Sequence, residues 1–90
     1  MTRKEIKNTI YEIAFEHIGD YLKNILYKSS NDGEDLFVYE ELGFDSLDTI
    51  TFIMNIEDRF KINLPDTLFT KGITLRTIID YIYDEQGKNL

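Results

Sequence analysis

Ninety residues, 42% hydrophobic and 30% charged, describe one small domain over residues 1–90, too short for the large α/β enzyme folds. With no cysteine and one histidine, the chain lacks a disulfide framework, a thiol nucleophile and the ligands of a thiolate or histidine zinc site. A net charge of −7 argues against nucleic acid and anionic membrane as partners and favours basic protein surfaces.

The acid is concentrated. Residues 29–70 hold ten acidic side chains against Arg59 and Lys61, a net of −8, while residues 1–28 carry +1 and residues 71–90 are neutral. The amino terminus lacks the apolar core of a signal peptide, and no apolar run reaches membrane-span length. The expectation is a cytoplasmic, monomeric protein.

Residues 3–28 read as helix. Ile6, Ile10, Ile13, Ala14, Ile18, Leu22, Ile25 and Leu26 recur mostly in steps of three and four, and Thr2 with Glu5 forms a capping box. Gly19 bends or splits this helix, so one helix or two remains open. Residues 29–35, SSNDGED, are loop. Placing Gly33 at the glycine of a calcium loop puts Lys28 first and Tyr39 last, which excludes that reading. Residues 36–45 are an irregular segment that lays Leu36, Val38, Leu42 and Phe44 on the core. Residues 46–60 form the next helix, capped by Asp45 or Ser46, with Asp48 in its first turn. Asn63, Pro65 and Asp66 make a turn, residues 67–71 a short helical turn, and Thr74 caps a last helix through Leu75, Ile78, Ile79 and Ile82. His17 is placed at the solvent boundary of the first helix. The fold class is all-α: a small bundle of three main helices plus one short helix, with a long loop between the first and second.

The 46–60 helix has more apolar residues than one buried face can use. At about 100° per residue, Phe52, Ile53, Ile56 and Phe60 share one face, and Leu47, Ile50 and Met54 form a second stripe beside it. An exposed apolar stripe near Asp48, Glu57 and Asp58 suits a partner with basic residues.

Ser46 admits three roles: a helix cap, a hydrolase nucleophile or an attachment point. Phe44-Asp45-Ser46-Leu47 is similar to the GDSL signature of a lipase and esterase family. Phe44 stands where that family has glycine, however, and no Asp-x-x-His follows. No catalytic residue is therefore assigned. An ester phosphate on a helix N-terminal serine is favoured by free backbone N–H groups and by the helix dipole.

Glu41-Leu42-Gly43-Phe44-Asp45-Ser46-Leu47-Asp48 resembles the acyl carrier protein signature. The likeness runs on through Met54, Glu57-Asp58, Phe60 and Leu64-Pro65-Asp66 to Thr74-Leu75 and Ile79-Asp80-Tyr81-Ile82. The resemblance implies a carrier and not an enzyme. Ser46, flanked by Asp45 and Leu47, would take 4′-phosphopantetheine from coenzyme A through a phosphopantetheinyl transferase, and Mg²⁺ would be needed only by that transferase. The arm would hold acyl groups as thioesters for fatty-acid, polyketide or related enzymes. It also implies a partner face of Leu47, Asp48, Ile50, Met54, Glu57 and Asp58, meeting acyl-transferring, condensing or acyl-activating enzymes with basic docking surfaces. Thr51, Asn55 and Arg59 make this face less acidic than in typical fatty-acid carriers, which points to a dedicated carrier of a specialised pathway. The alternatives are an aminoacyl or peptidyl carrier, or an unmodified interaction module.

Overall fold

The computed structural model describes residues 1–29 and 31–87. The described residues form four α-helices: α1 (Arg3–Ile18), α2 (Asp20–Lys28), α3 (Ser46–Phe60) and α4 (Leu75–Gly87). Single 3₁₀ turns lie at Asn31–Gly33 and Asp66–Leu68. The class is all-α; among the described residues the only extended pairing is an isolated antiparallel bridge, Phe37 to Thr74.

The expected capping box starts α1. Thr2 Oγ1 accepts from the Glu5 amide at 3.2 Å, and the Thr2 amide donates to Glu5 Oε1 at 2.9 Å. Ile6, Ile10, Ile13 and Ala14 form its buried stripe. The reading of residues 3–28 as a helix resolves into two helices. Gly19 takes φ 56° and ψ −136°, a region closed to side-chain-bearing residues, and the chain turns there before α2 restarts at Asp20. The turn lets Leu22 reach the same core as the α1 stripe.

After α2, Asp32 and Gly33 both have positive φ. A Cβ at Gly33 would run into the Leu26 side chain, so this turn needs glycine for space as well as conformation. The segment that follows buries Leu36, Val38, Leu42 and Phe44, as the sequence predicts. Its backbone is tied to the start of α4: Val38 N donates to Ile73 O (3.0 Å), Leu75 N to Leu36 O (3.1 Å) and Arg76 N to Glu34 O (2.8 Å). These bonds satisfy a buried, non-helical stretch that would otherwise leave polar groups unpaired.

An ionic cluster locks the same region. Glu34, in the acidic loop, is buried against α1 and α4. Arg3 grips it with Nη2 to Oε1 at 2.6 Å and Nη1 to Oε2 at 3.1 Å, while Arg3 Nε holds Asp80 at 2.9 Å. Lys7 reaches Glu34 at 3.4 Å and Asp32 at 3.1 Å, and Arg76 reaches Asp35 at 2.6 Å. The Arg3 hydrogen bonds, with the Arg3 and Lys7 charges, hold the Glu34 carboxyl below its ordinary range despite burial.

α1 packs against α2, α3 and α4, and the core runs from Ile6, Ile10 and Ile13 to Phe52, Ile56, Leu75, Ile78, Ile79 and Ile82. α3 ends where Lys61 turns left-handed (φ 57°, ψ 44°). The short turn expected at 67–71 lies at Asp66–Leu68, because Leu68 N bonds back to Pro65 O. Thr74 Oγ1 accepts from the Thr77 amide, the capping role expected of it.

Candidate functional site

The site is the amino-terminal end of α3. Of the two expected caps, the structure uses Asp45: its Oδ1 accepts from the Asp48 amide at 2.8 Å, and Asp48 Oδ2 accepts from the Asp45 amide at 3.2 Å. Ser46 is the first helical residue and not the cap. The reason is geometric: a cap sits outside helical φ/ψ, and Asp45 is the extended residue (φ −90°, ψ −173°). Thr49, one turn in, is buried and donates its hydroxyl to Asp45 O at 2.8 Å.

This arrangement frees Ser46. Its side chain is exposed, and nothing among the described residues bonds its hydroxyl. The first-turn amides of a helix lack intrahelical acceptors. The capping box takes those of Asp45 and Asp48, so the Ser46 and Leu47 amides face outward with the positive end of the helix dipole. An exposed hydroxyl beside open N–H donors fits a serine phosphodiester.

Phe44 anchors the end of the loop. Its buried ring meets Phe52 of α3 edge-on at 5.1 Å and His17 of α1 at 5.6 Å, and His17 also meets Phe52 at 5.9 Å. His17 Nε2 lies 3.5 Å from Asn55 Nδ2. Three segments thus fix the residue two places before Ser46. The sequence reading placed His17 at the helix boundary, where it is half-buried, but missed this positioning role. Nothing local joins His17 to Phe44 or Phe52, so no sequence spacing signals the contact.

The second apolar stripe of α3 is exposed: Leu47 72%, Ile50 55% and Met54 62%. Phe52, Ile56 and Phe60 are buried and Ile53 half-buried, the division expected from helical angles. The acids expected beside the stripe divide differently. Asp45 and Asp48 stay at the Ser46 end. Glu57 turns its Oε2 to the Leu64 amide at 2.7 Å, and Asp58 pairs with Lys61 at 3.7 Å. Arg59 reaches back to Glu12 and Glu16 of α1 at 3.5 and 3.6 Å. Among the described residues no group of three metal-ligating side chains converges, and no helix is long and apolar enough to cross a membrane.

A family described as "Phosphopantetheine attachment site" matches residues 19–82. An acyl carrier protein of Chlorobium phaeovibrioides is 37% identical over 82 residues, covering 91% of this chain and 96% of the relative. Acyl carrier proteins of Chlorobium phaeobacteroides and Chlorobium luteolum are each 35% identical over the same length and coverage. No solved structure gives a significant match. The chain therefore belongs to the acyl carrier protein family, whose members are carriers rather than enzymes and bear 4′-phosphopantetheine as their prosthetic group.

Proposed function

We propose that residues 1–90 act as one cytoplasmic, monomeric carrier unit with 4′-phosphopantetheine on Ser46, moving acyl intermediates between fatty-acid, polyketide or related biosynthetic enzymes. The observation that carries this reading is the Ser46 hydroxyl: exposed, unbonded and at the first turn of α3, with the capping work done by Asp45. When bound, the group supplies a thiol on a flexible arm, the point at which acyl cargo is held. The protein's residues give that arm a base. Asp45 and Asp48 hold the first turn, Phe44 pins the preceding loop, and the outward amides of Ser46 and Leu47 favour a phosphate oxygen.

Members of this family meet phosphopantetheinyl transferases and acyl-handling enzymes. The partner face we assign here is Leu47, Ile50 and Met54, with Asp48 at its Ser46 end. Exposed Leu, Ile and Met on one stripe of a small domain have no core to join, and a docked enzyme would cover them.

Incubation with a phosphopantetheinyl transferase, coenzyme A and Mg²⁺ should raise the intact mass by one arm, and Ser46→Ala should abolish the gain. An unchanged wild-type mass would support an unmodified interaction module. The cargo class is tested by melting. Each buried CH₂ is worth about 0.8 kcal/mol, so an eight-carbon acyl form should melt several degrees above the form with the bare arm. Equal melting temperatures would favour an aminoacyl or peptidyl load.

A further inference from the structure

The seam between α1 and α3 is held differently at its two ends. Away from Ser46, Arg59 of α3 pairs with Glu12 and Glu16 of α1. All three side chains are exposed, so solvent screens these contacts and they hold the seam weakly. At the Ser46 end the seam is aromatic. His17 of α1 meets Phe44 at 5.6 Å and Phe52 at 5.9 Å, and the two phenylalanines meet edge-on at 5.1 Å. Such contacts depend on ring geometry and fix the relative placement of the elements that carry them.

The stretch from Gly43 to Asp48 has one buried side chain, Phe44; Asp45, Ser46 and Leu47 are exposed. Phe44 therefore seats this stretch. Phe52 belongs to the same helix as Ser46, so its contact with Phe44 ties the loop to its own helix. His17 ties that unit to α1. Asp45 follows directly on Phe44, and its carboxylate caps α3 from an extended backbone that a shifted Phe44 would disturb. The ring of His17 carries this contact more than its polar edge. Nε2 stands 3.5 Å from Asn55 Nδ2, the outer limit of a hydrogen bond, and Asn55 is exposed.

Resting on the reading that Ser46 carries the arm, we infer that His17 is a positioning residue for the loading of that arm: its ring, acting through Phe44, fixes the start of α3 against α1 and so sets where the Ser46 hydroxyl stands on a docked transferase. In that step the Ser46 oxygen bonds the coenzyme A phosphorus nearer the pantetheine. The bond from that phosphorus to the bridging oxygen breaks, adenosine bisphosphate leaves with that oxygen, and the hydroxyl proton passes to the transferase. Attacking and leaving oxygens must lie roughly in line, so a displaced hydroxyl slows the step itself. The exposed stripe of Leu47, Ile50 and Met54 is left intact, so docking is not the quantity that changes.

The test measures kcat and KM separately, from mass gain with a purified broad-specificity phosphopantetheinyl transferase, coenzyme A and Mg²⁺. It is run at a temperature where circular dichroism shows each variant folded. His17→Ala should lose about fivefold in kcat with KM within about twofold of wild type. His17→Phe, which keeps a ring, should recover kcat to within about twofold, and His17→Asn, which keeps only a polar edge, should not. If alanine unfolds the chain, His17→Asn carries the same expectation. Ile82→Val, in the core of α4, lowers stability without touching the ring cluster and should keep the wild-type kcat. In ¹H–¹⁵N spectra the Ser46 amide should shift in His17→Ala and return in His17→Phe. An unchanged kcat in His17→Ala, a loss confined to KM, an equal kcat loss in Ile82→Val, or rescue by asparagine and not phenylalanine would each overturn the positioning role while leaving the carrier reading intact. No mass gain in the wild type would overturn both.

Discussion

In the loop after α2, Glu34 is folded against Arg3, Lys7 and Arg76, with Asp32 and Asp35 held by Lys7 and Arg76. A few residues later, Glu40, Glu41, Asp45 and Asp48 meet no cation among the described residues. The two stretches are alike in composition and only the surroundings differ. The first is spent on holding α1, the loop and α4 together. In the second, Asp45 and Asp48 bond each other's amides at the start of α3 and Glu41 bonds the Phe37 amide, so these carboxylates hold local backbone and keep their charge. Acidity in this chain therefore has two uses, and net charge alone does not distinguish them.

The comparison breaks most visibly at Glu34. Glu34→Ala removes the buried carboxylate that Arg3, Lys7 and Arg76 share, leaving each with one more exposed partner, Asp80, Asp32 or Asp35. We expect a loss of about 2 kcal/mol, discounted for the solvent reaching Arg3 and Arg76, or a fall in Tm on the order of 10 °C by thermal denaturation. A Tm within a degree or two of wild type would show that the cluster is ornamental. The pH dependence follows from the same contact. Glu34 has a lower pKa in the fold than in the unfolded chain, so it contributes stability that is complete above the unfolded carboxylate pKa of about 4.3. That contribution is lost as pH falls through the folded pKa. Glu34→Gln should flatten the acid limb of the stability curve between about pH 5 and the low end of the titration.

A smaller effect separates Asp45 from its neighbour. Asp45→Ala removes a cap and should cost about 1 kcal/mol, while Ser46→Ala removes an unbonded hydroxyl and should leave Tm nearly unchanged. Denaturant melts of the two variants read this directly, and a larger loss at Ser46 would mean that the serine does the capping. Smallest of all is Glu40→Gln. It removes an exposed charge with no partner, and stability should move by less than about 0.5 kcal/mol.

Much of the site is legible in the sequence. The spacing of Phe52, Ile56 and Phe60 against Leu47, Ile50 and Met54 separates a buried from an exposed face, because side-chain direction along a helix follows from residue number. The Thr2–Glu5 box and the Thr74 cap are contacts between residues three apart, and they too follow from local order. The choice of Asp45 over Ser46 as the α3 cap did not, since both residue types cap well and only the backbone angles decide between them.

What the chain's order determined by itself is helix periodicity, the excess of apolar residues on α3, and a serine at the start of that helix in a pattern shared with one family. Those signals are carried by neighbours a few residues apart, whose geometry hardly depends on the rest of the molecule. The tertiary structure alone decided that Gly19 turns the first helix back, that Phe44, His17 and Phe52 meet, and that Glu34 leaves the solvated acidic set. Arg3 and Glu34 are 31 positions apart and Arg3 and Asp80 are 77 apart, so their contacts exist only once the helices are packed. A carboxylate has the same charge in either setting, and whether that charge is neutralised within the fold or left for a partner depends on which cations the packed chain brings within reach.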